Sequence, residues 1–104
     1  MKLKIEIIGP YEDYISYTGY LWLLEIRDLI ENEYGIKTEL KWIGESLDPN
    51  KDYPIVKVDD ETFVGLPSEI GYLYEIIKSF IERRMGLKGF IEGDKVQSKK
   101  NFKL

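Results

Sequence analysis

Two short segments of this chain alternate between uncharged and charged residues, and a segment with helical periodicity lies between them. In residues 2–8 and again in residues 36–42, mainly Ile, Leu and Trp side chains alternate with Lys and Glu. A period of two predicts strands with one buried and one solvated face. Residues 17–34 instead place apolar side chains three and four positions apart, which predicts an amphipathic helix. Because a helix must carry the chain back across the sheet, we expect the two strands to be parallel.

A proline opens the second half of the pattern. Pro54 stands directly before residues 55–58, a third short alternating segment, and a two-residue acidic turn then leads to residues 62–66. These segments predict a β-hairpin. Ser68 is the expected N-cap of a last helix, which should end near residue 85.

The composition excludes several kinds of chemistry. The 104 residues fit a single domain, and they include no cysteine and no histidine. Without cysteine there is no disulfide, thiol redox reaction, iron–sulfur cluster or cysteine-ligated zinc. Without histidine the chain lacks the side chain best suited to proton transfer near neutral pH. The acidic pairs Glu12–Asp13 and Asp59–Asp60 lie in a polar loop and a turn, so we interpret them as solvated charges. We expect no cofactor and no metal site.

The sequence also indicates where in the cell the protein is expected to be. Its first residues are too few and too charged for a signal peptide, and no apolar run approaches the ~20 residues of a membrane span. We expect a soluble, cytoplasmic protein that makes no membrane contact. The high charged fraction, 33%, is typical of proteins from heat-adapted organisms.

Charge is distributed unevenly along the chain. Residues 1–82 hold 8 Lys and Arg against 17 Asp and Glu, whereas residues 83–104 hold 7 against 2. We predict a domain in residues 1–85 and a basic extension in residues 86–104 that packs on the domain or on a partner. The acidic body disfavours nucleic acid as a partner.

The element order β-α-β, then a proline, a β-hairpin and a helix resembles the thioredoxin-like superfamily over residues 2–85. The short members of that superfamily are most similar, namely the glutaredoxins and the N-terminal domain of glutathione transferases. The resemblance implies an α/β fold with a βαβ-ββα core, a four-stranded mixed sheet and two main helices. It also implies a cis peptide bond at Tyr53-Pro54, because those families open their third strand with a cis-proline.

The position of the family's catalytic motif carries no sulfur in this chain. Members of the superfamily place a cysteine, or two in a CxxC motif, at the start of the first helix, where the helix N-terminus lowers the thiol pKa. Counting back from Tyr34, that position falls at Tyr17-Thr18-Gly19-Tyr20. Tyrosines replace both cysteines, so the resemblance cannot carry disulfide reductase activity to this chain.

We therefore expect a redox-inactive module that binds a protein or peptide. Tyrosines recur every three residues from Tyr11 to Tyr20, and such side chains offer large contact areas at low entropic cost. Alternatively, Tyr11 and Tyr14 are packing residues that close the loop against the helices. The predicted binding residues are Tyr17, Thr18, Gly19, Tyr20, Tyr53, Pro54 and Ser68.

A second function stays open at this stage. Glutathione transferases hold the γ-glutamyl carboxylate with a serine at the start of their last core helix, and Ser68 resembles that serine. Tyr17 would then imitate their thiol-activating tyrosine, which makes a glutathione- or small-thiol-binding enzyme the alternative. Glu69 would repel the carboxylate, and the chain lacks the all-α second domain that supplies the electrophile pocket.

One sheet face is also expected to be incompletely covered. The Lys and Glu alternation predicts a wet face, on which Ile8 and either Val56 or Val58 leave an apolar strip. The basic extension or a second subunit, as in a homodimer, would cover that strip.

Overall fold

A computed structural model of the chain describes residues 2–86. It has an α/β fold with four strands and two helices, as predicted. The predicted extension beyond Gly86 lies outside the described residues. Within residues 2–86, neither helix is long and apolar enough to cross a membrane. The elements are β1 (Lys2–Ile8), α1 (Tyr14–Tyr34), β2 (Lys37–Ile43), β3 (Ile55–Val58), β4 (Glu61–Val64) and α2 (Ile70–Met85).

The four strands form one mixed sheet in the order β2-β1-β3-β4. Strand β1 pairs with β2 in parallel, and β3 is antiparallel to both of its neighbours, β1 and β4. The predicted parallel crossover and four-stranded mixed sheet are confirmed, and the topology is compatible with a thioredoxin-like core. The Tyr53-Pro54 peptide bond is cis.

Helix α1 covers one face of the sheet. Strand β1 turns Leu3, Ile5 and Ile7 to that face, where all three are fully buried. The helix buries a matching stripe, and its Gly19 backbone lies so close to β1 that an added Cβ would sit 2.7 Å from Ile7 Cδ1. The other fully buried apolar side chains of α1 and β3 are Leu23, Ile26, Ile30, Val56 and Val58.

The strand register corrects the predicted apolar strip. In the β1–β3 pairing, Ile5 lies opposite Val58 and Ile7 opposite Val56, so both valines share the buried face. Directly opposed residues of paired strands point to the same side of a sheet. Val56 and Val58 therefore do not contribute to the wet face, and the β3 residue beside Ile8 on that face is Ile55.

Helix α1 begins at Tyr14, three residues earlier than predicted. Asp13 is its N-cap: the backbone is extended there, and the carboxylate accepts a hydrogen bond from the Ser16 backbone N–H at 2.9 Å. An aspartate at this position satisfies one of the amides that a helix start leaves without an intrahelical partner. The acidic pair Glu12–Asp13 is thus not simply solvated, because Asp13 starts the helix.

The β3–β4 turn also uses a member of an acidic pair. Asp59 adopts a left-handed conformation with φ of 53°, which Asp tolerates better than most residues. Its backbone N–H donates to the Lys4 carbonyl at 2.8 Å, and its carboxylate accepts from the Lys4 N–H at 3.0 Å. Asp59 therefore ties the turn to β1.

The described residues divide into two compact units, 2–74 and 75–86, with the boundary inside α2. In the first unit, α2 begins at Ile70, and the Glu69 carbonyl accepts from the Leu73 N–H. The helix therefore begins two residues after Ser68, one residue later than the predicted Ser68 N-cap would place it. In the described part of the second unit, Ile77 and Ile81 are fully buried, and the Arg83 guanidinium lies 4.9 Å from the centre of the Phe80 ring.

Candidate functional site

Three tyrosines surround Trp42 near the C-terminal end of β2. The ring centroid of Trp42 lies 5.1 Å from that of Tyr11, 5.3 Å from that of Tyr20 and 6.3 Å from that of Tyr17. Tyr11 meets the indole edge-on, and the other two rings are tilted against it. Such arrangements suit the quadrupoles of aromatic rings. We call Tyr11, Tyr17, Tyr20 and Trp42 the aromatic cluster.

The topology explains why these four residues meet. Trp42 lies opposite Ile7 in the parallel β1–β2 pairing, so its side chain is on the sheet face that α1 covers. Tyr17 and Tyr20 stand three residues apart on α1 and so share one side of the helix. Tyr11 belongs to the loop between β1 and α1, where its ring lies against Gly44.

The cluster combines a fixed indole with exposed rings. The Trp42 Nε1–H donates to the Gly9 carbonyl at 3.1 Å, which satisfies the one polar group of the indole. Tyr17 is 47% exposed and Tyr11 is 65% exposed, whereas Tyr20 and Trp42 are half-buried. Leu21, one turn after Tyr17, is 42% exposed and extends the apolar surface along α1. The cluster thus presents aromatic surface to solvent on an ordered support.

Tyr53 also lies close to Gly9, and its hydroxyl has a hydrogen-bond partner of its own. Its ring approaches Gly9, with Cδ1 3.6 Å from the position of an added Cβ. Its hydroxyl donates to Glu45 Oε2 at 2.8 Å, and the Lys51 ammonium donates to the same oxygen at 2.9 Å. No ring contact joins Tyr53 to the aromatic cluster among the described residues.

The three polar groups shift one another's ionisation. Hydrogen bonds from Lys51 and then Tyr53 hold the pKa of Glu45 below its ordinary value. The hydrogen bond to Glu45 raises the pKa of Lys51. Partial burial, followed by the hydrogen bond to Glu45, raises the pKa of Tyr53. Near neutral pH the set is therefore an ionised carboxylate held between a cation and a neutral phenol.

Only some of the main-chain polar groups beside Pro54 form hydrogen bonds within the described residues. The Pro54 carbonyl accepts from the Gly65 N–H at 2.7 Å, at the end of the β3–β4 pairing. For the N–H and C=O of Tyr53, residues 2–86 supply no hydrogen-bond partner. Main-chain groups in this state are normally satisfied by water or by a bound ligand.

Three other predicted site residues lie outside the aromatic cluster. Two of them make local structural contacts, and the third makes no hydrogen bond with the described residues. The Thr18 hydroxyl donates back to the Tyr14 carbonyl at 3.0 Å within α1. Gly19 is buried between Ile7 and Leu66. Ser68 is exposed, and its side chain makes no hydrogen bond with the described residues.

The corrected start of α1 changes the electrostatics expected at Tyr17 and Tyr20. The Tyr17 N–H donates to the Asp13 carbonyl at 3.0 Å, so this tyrosine is already inside the helical hydrogen-bond ladder. The Asp13 carboxylate occupies the helix N-terminus itself and also accepts from the Ser16 hydroxyl at 2.6 Å. The helix dipole acts mainly within the first turn and meets a negative charge there, so it does not favour an anion at Tyr17 or Tyr20.

Sequence reasoning missed Trp42 as the centre of the cluster. Trp42 ends the predicted second strand, and the alternation of residues 36–42 indicates only that it shares a face with Leu40. The available signal was the parallel crossover, since it puts the helix on the buried face of the second strand. The Glu45–Lys51–Tyr53 contacts depend on a loop conformation that no periodicity encodes.

Within residues 2–86, no group of three or more acidic side chains is arranged to hold a metal ion. The candidate site is an aromatic surface close to Tyr53, whose main-chain groups have no hydrogen-bond partner within residues 2–86. No protein-family model, curated protein or solved structure matches the chain.

Proposed function

We propose that this protein is a redox-inactive, thioredoxin-like binding module, and that it recognises a protein or peptide through the aromatic cluster and the Tyr53 backbone. The observation that carries the proposal is the assembly of three tyrosines on Trp42, with two of their rings substantially exposed. Tyrosine and tryptophan, with arginine, are enriched among the residues that dominate the binding energy of protein interfaces.

Preorganisation supports this reading. Because the indole is anchored to the Gly9 carbonyl and to three rings, the cluster loses little side-chain freedom when a partner binds. Ordering flexible side chains at an interface costs about 0.5–1.5 kcal/mol for each residue, and a cluster that is already ordered avoids much of that cost.

The free main-chain groups of Tyr53 support a peptide as the ligand. An extended peptide adds to a sheet through backbone hydrogen bonds, while pockets or rings beside it select its side chains. Gly9 lies beside both the Trp42 indole and the Tyr53 ring, so the aromatic cluster and Tyr53 flank the same short stretch of chain. A docked segment could reach both.

The absence of cysteine defines the activity that we do not expect. With no cysteine anywhere in the chain, neither a nucleophilic thiolate nor a mixed disulfide can form. We predict that the protein does not accelerate reduction of insulin by dithiothreitol above the rate with the reagent alone. Turnover above that rate would contradict the redox-inactive assignment.

The decisive experiment compares the intact protein with the double variant Tyr17→Ala/Tyr20→Ala. Partners recovered from native lysate by the intact protein are mapped to a peptide, and its affinity is measured by titration. We expect the double variant to bind at least about 30-fold more weakly, which is the loss associated with a dominant interface residue. Tyr72→Ala is the matched control, because Tyr72 is a 58% exposed tyrosine outside the aromatic cluster.

Backbone amide shifts provide a second readout. Amides of residues 17–20 and 53–55 should move together when the peptide is added. If reduced glutathione at millimolar concentration moves the same amides and that of Ser68, while no peptide does, a glutathione-binding function would replace this one.

A further inference from the structure

The sheet face opposite α1 carries a continuous row of four apolar side chains. Ile8 lies opposite Ile43 in the β1–β2 pairing and opposite Ile55 in the β1–β3 pairing, and Ile55 lies opposite Val64 in β4. The row therefore crosses all four strands at one level of the sheet. We call Ile43, Ile8, Ile55 and Val64 the apolar row.

The apolar row is accessible. Val64 is 56% exposed, and the three isoleucines are partly exposed. The face does not contribute to the core beneath α1, since its residues alternate with the buried ones along β1 and β3. Neighbouring strands lie about 4.8 Å apart, so a row across four strands is about 14 Å long.

Lysines border the row on the same face. The next level of the sheet places Lys41, Glu6 and Lys57 side by side. Beyond them, Lys4 pairs with Glu6 at 3.7 Å and Lys2 pairs with Glu39 at 3.6 Å. These two ion pairs consume both acidic side chains of the face. Within residues 2–86, no ion pair involves Lys41, Lys57 or Lys37.

The charge of this face is opposite to that of the body around it. Residues 1–82 contain 8 basic and 17 acidic side chains. Five of those eight basic residues, but only two of the seventeen acidic ones, project from this one sheet face. The five are Lys2, Lys4, Lys37, Lys41 and Lys57. An acidic protein thus carries one basic face with an apolar edge.

We infer that this face is a second binding surface, and that its partner is an acidic amphipathic helix of another protein. The apolar row would contact the apolar stripe of that helix, and Lys41 and Lys57 would face carboxylates on its flank. A 14 Å row corresponds to about nine residues of α-helix, or two and a half turns, which places three or four apolar side chains on one stripe. Complementary charge would orient the helix and exclude basic partners.

The same geometry disfavours a second copy of the chain. In a two-fold dimer whose axis crosses the strands, full overlap of the two faces would place the apolar row opposite the level that holds Lys2 and Lys37. A dimer that instead stacks the two apolar rows leaves the charged levels of each copy outside the contact. Neither arrangement uses both the row and the lysines beside it.

The test uses the full-length chain and a synthetic 14-residue peptide, with Leu at positions 3, 6, 7 and 10 and mainly Glu elsewhere. We expect saturable binding that moves the amides of Ile8, Ile55 and Val64 but not those of Tyr17 and Tyr20. The last condition separates this surface from the aromatic cluster, so the result does not depend on the proposed function.

Charge reversal supplies the matched variants. Lys41→Glu should weaken binding of the peptide about tenfold, because it replaces attraction by repulsion at the apolar row. Arg27→Glu makes the same change of net charge on α1 and should leave the affinity within about twofold. Lys41 is exposed on an edge strand, and circular dichroism of the variant verifies that it folds.

Four outcomes would overturn the inference. These are absence of binding to the peptide, equal loss in the Lys41→Glu and Arg27→Glu variants, unchanged affinity for a peptide in which Ser replaces each Leu, and self-association that Lys41→Glu abolishes. A parallel arm uses vesicles containing 30% phosphatidylserine. Lys41-dependent binding to those vesicles without binding to the peptide would identify a membrane surface as the occupant instead.

Discussion

Gly9 is the residue at which the candidate site is held together. Its carbonyl accepts the Trp42 indole hydrogen bond, its Cα faces the Tyr53 ring, and the Ser16 side chain fills the space where a Cβ would stand. An added Cβ would lie 2.2 Å from Ser16 Oγ and 3.0 Å from Ser16 Cβ. No side chain fits there unless Ser16 moves.

We predict that Gly9→Ala destabilises the protein by about 1–3 kcal/mol, the range for overpacking a well-packed interior. Moving Ser16 would also break its hydroxyl contact with Asp13. The measurement is the free energy of unfolding in urea. Gly71→Ala is the control, because a Cβ at that α2 position meets nothing within 4 Å and alanine favours a helix. Equal stability of Gly9→Ala and the wild type would show that Ser16 can be displaced without cost.

Glu45 makes the stability of the loop depend on pH. Its folded-state pKa lies below the ordinary value of 4.5, because Lys51 and Tyr53 donate to the carboxylate. A group with a lowered folded pKa stabilises the fold above its unfolded pKa and loses that contribution as the pH falls through the folded pKa. We predict that Glu45→Gln lowers stability near pH 7 and that the difference from wild type shrinks below pH 4.5.

The measurement is urea unfolding of both proteins between pH 3 and pH 7, with Glu12→Gln as the control for loss of one exposed carboxylate. Tyr53 and Lys51 have raised pKa values, so their contribution is present below their unfolded pKa values and is lost as the pH rises through the folded ones. A pH-independent difference between Glu45→Gln and wild type would contradict the assigned hydrogen bonds.

At the level of a single element, the stability of helix α1 depends on its N-cap residue, Asp13. Asp13 accepts from both the Ser16 amide and the Ser16 hydroxyl, and it lies where the helix dipole favours a negative charge. We predict that Asp13→Ala lowers the free energy of unfolding by about 1 kcal/mol, within the range of 0.5–2 kcal/mol for a lost N-cap. Asp13→Asn should retain most of that stability, and Glu12→Ala should have little effect. A larger loss for Glu12→Ala than for Asp13→Ala would place the cap elsewhere.

Comparing the predicted and observed bounds of each helix and strand shows which features of the fold can be predicted from the sequence. Strand β1 and the hairpin strand β3 have the predicted bounds, because strict alternation bounded by Gly, Pro or Asp leaves little choice. Helix α1 begins earlier than predicted because Tyr14 and Ile15 on its first turn are exposed, so they add nothing to an amphipathic pattern. The Asp13 cap was the available signal, and it was interpreted as loop charge.

Pairing between elements was harder to predict than the elements themselves. Whether Ile55 or Val56 shares a face with Ile8 depends on the register of two antiparallel strands, and a shift of one residue exchanges the faces. The Asp59 turn and its bonds to Lys4 fix that register. Both are tertiary contacts between residues 55 positions apart. The aromatic cluster has the same origin, because Trp42 meets the tyrosines only through the crossover.

At the scale of the whole molecule, charge and apolar surface are separated. The aromatic cluster lies on the side of the sheet that α1 covers, and the apolar row with its lysines lies on the opposite face. Two separate surfaces of different chemistry suit a protein that joins two partners. The positive charge of the basic face is also not continuous, because Glu6 and Glu39 form ion pairs with two of its lysines.

This charge distribution leads to a prediction about nucleic acid. Binding to a single strand requires a basic groove that tracks the phosphates, together with aromatic rings on which bases stack. Here the aromatic cluster and the lysines lie on opposite sides of the sheet, and the net charge of residues 1–82 is -9. We therefore predict that a labelled 20-nucleotide oligo(dT) shows no binding at 150 mM salt by fluorescence anisotropy, with the acidic Leu-containing peptide as the positive control.

Residues 83–104 carry seven basic side chains, so binding that appears at lower salt should vary steeply with salt and weaken in Lys99→Glu/Lys100→Glu. Tight binding that persists at 150 mM salt would mean that the basic segment outweighs the repulsion of the acidic body, and nucleic acid would then become a partner of this chain.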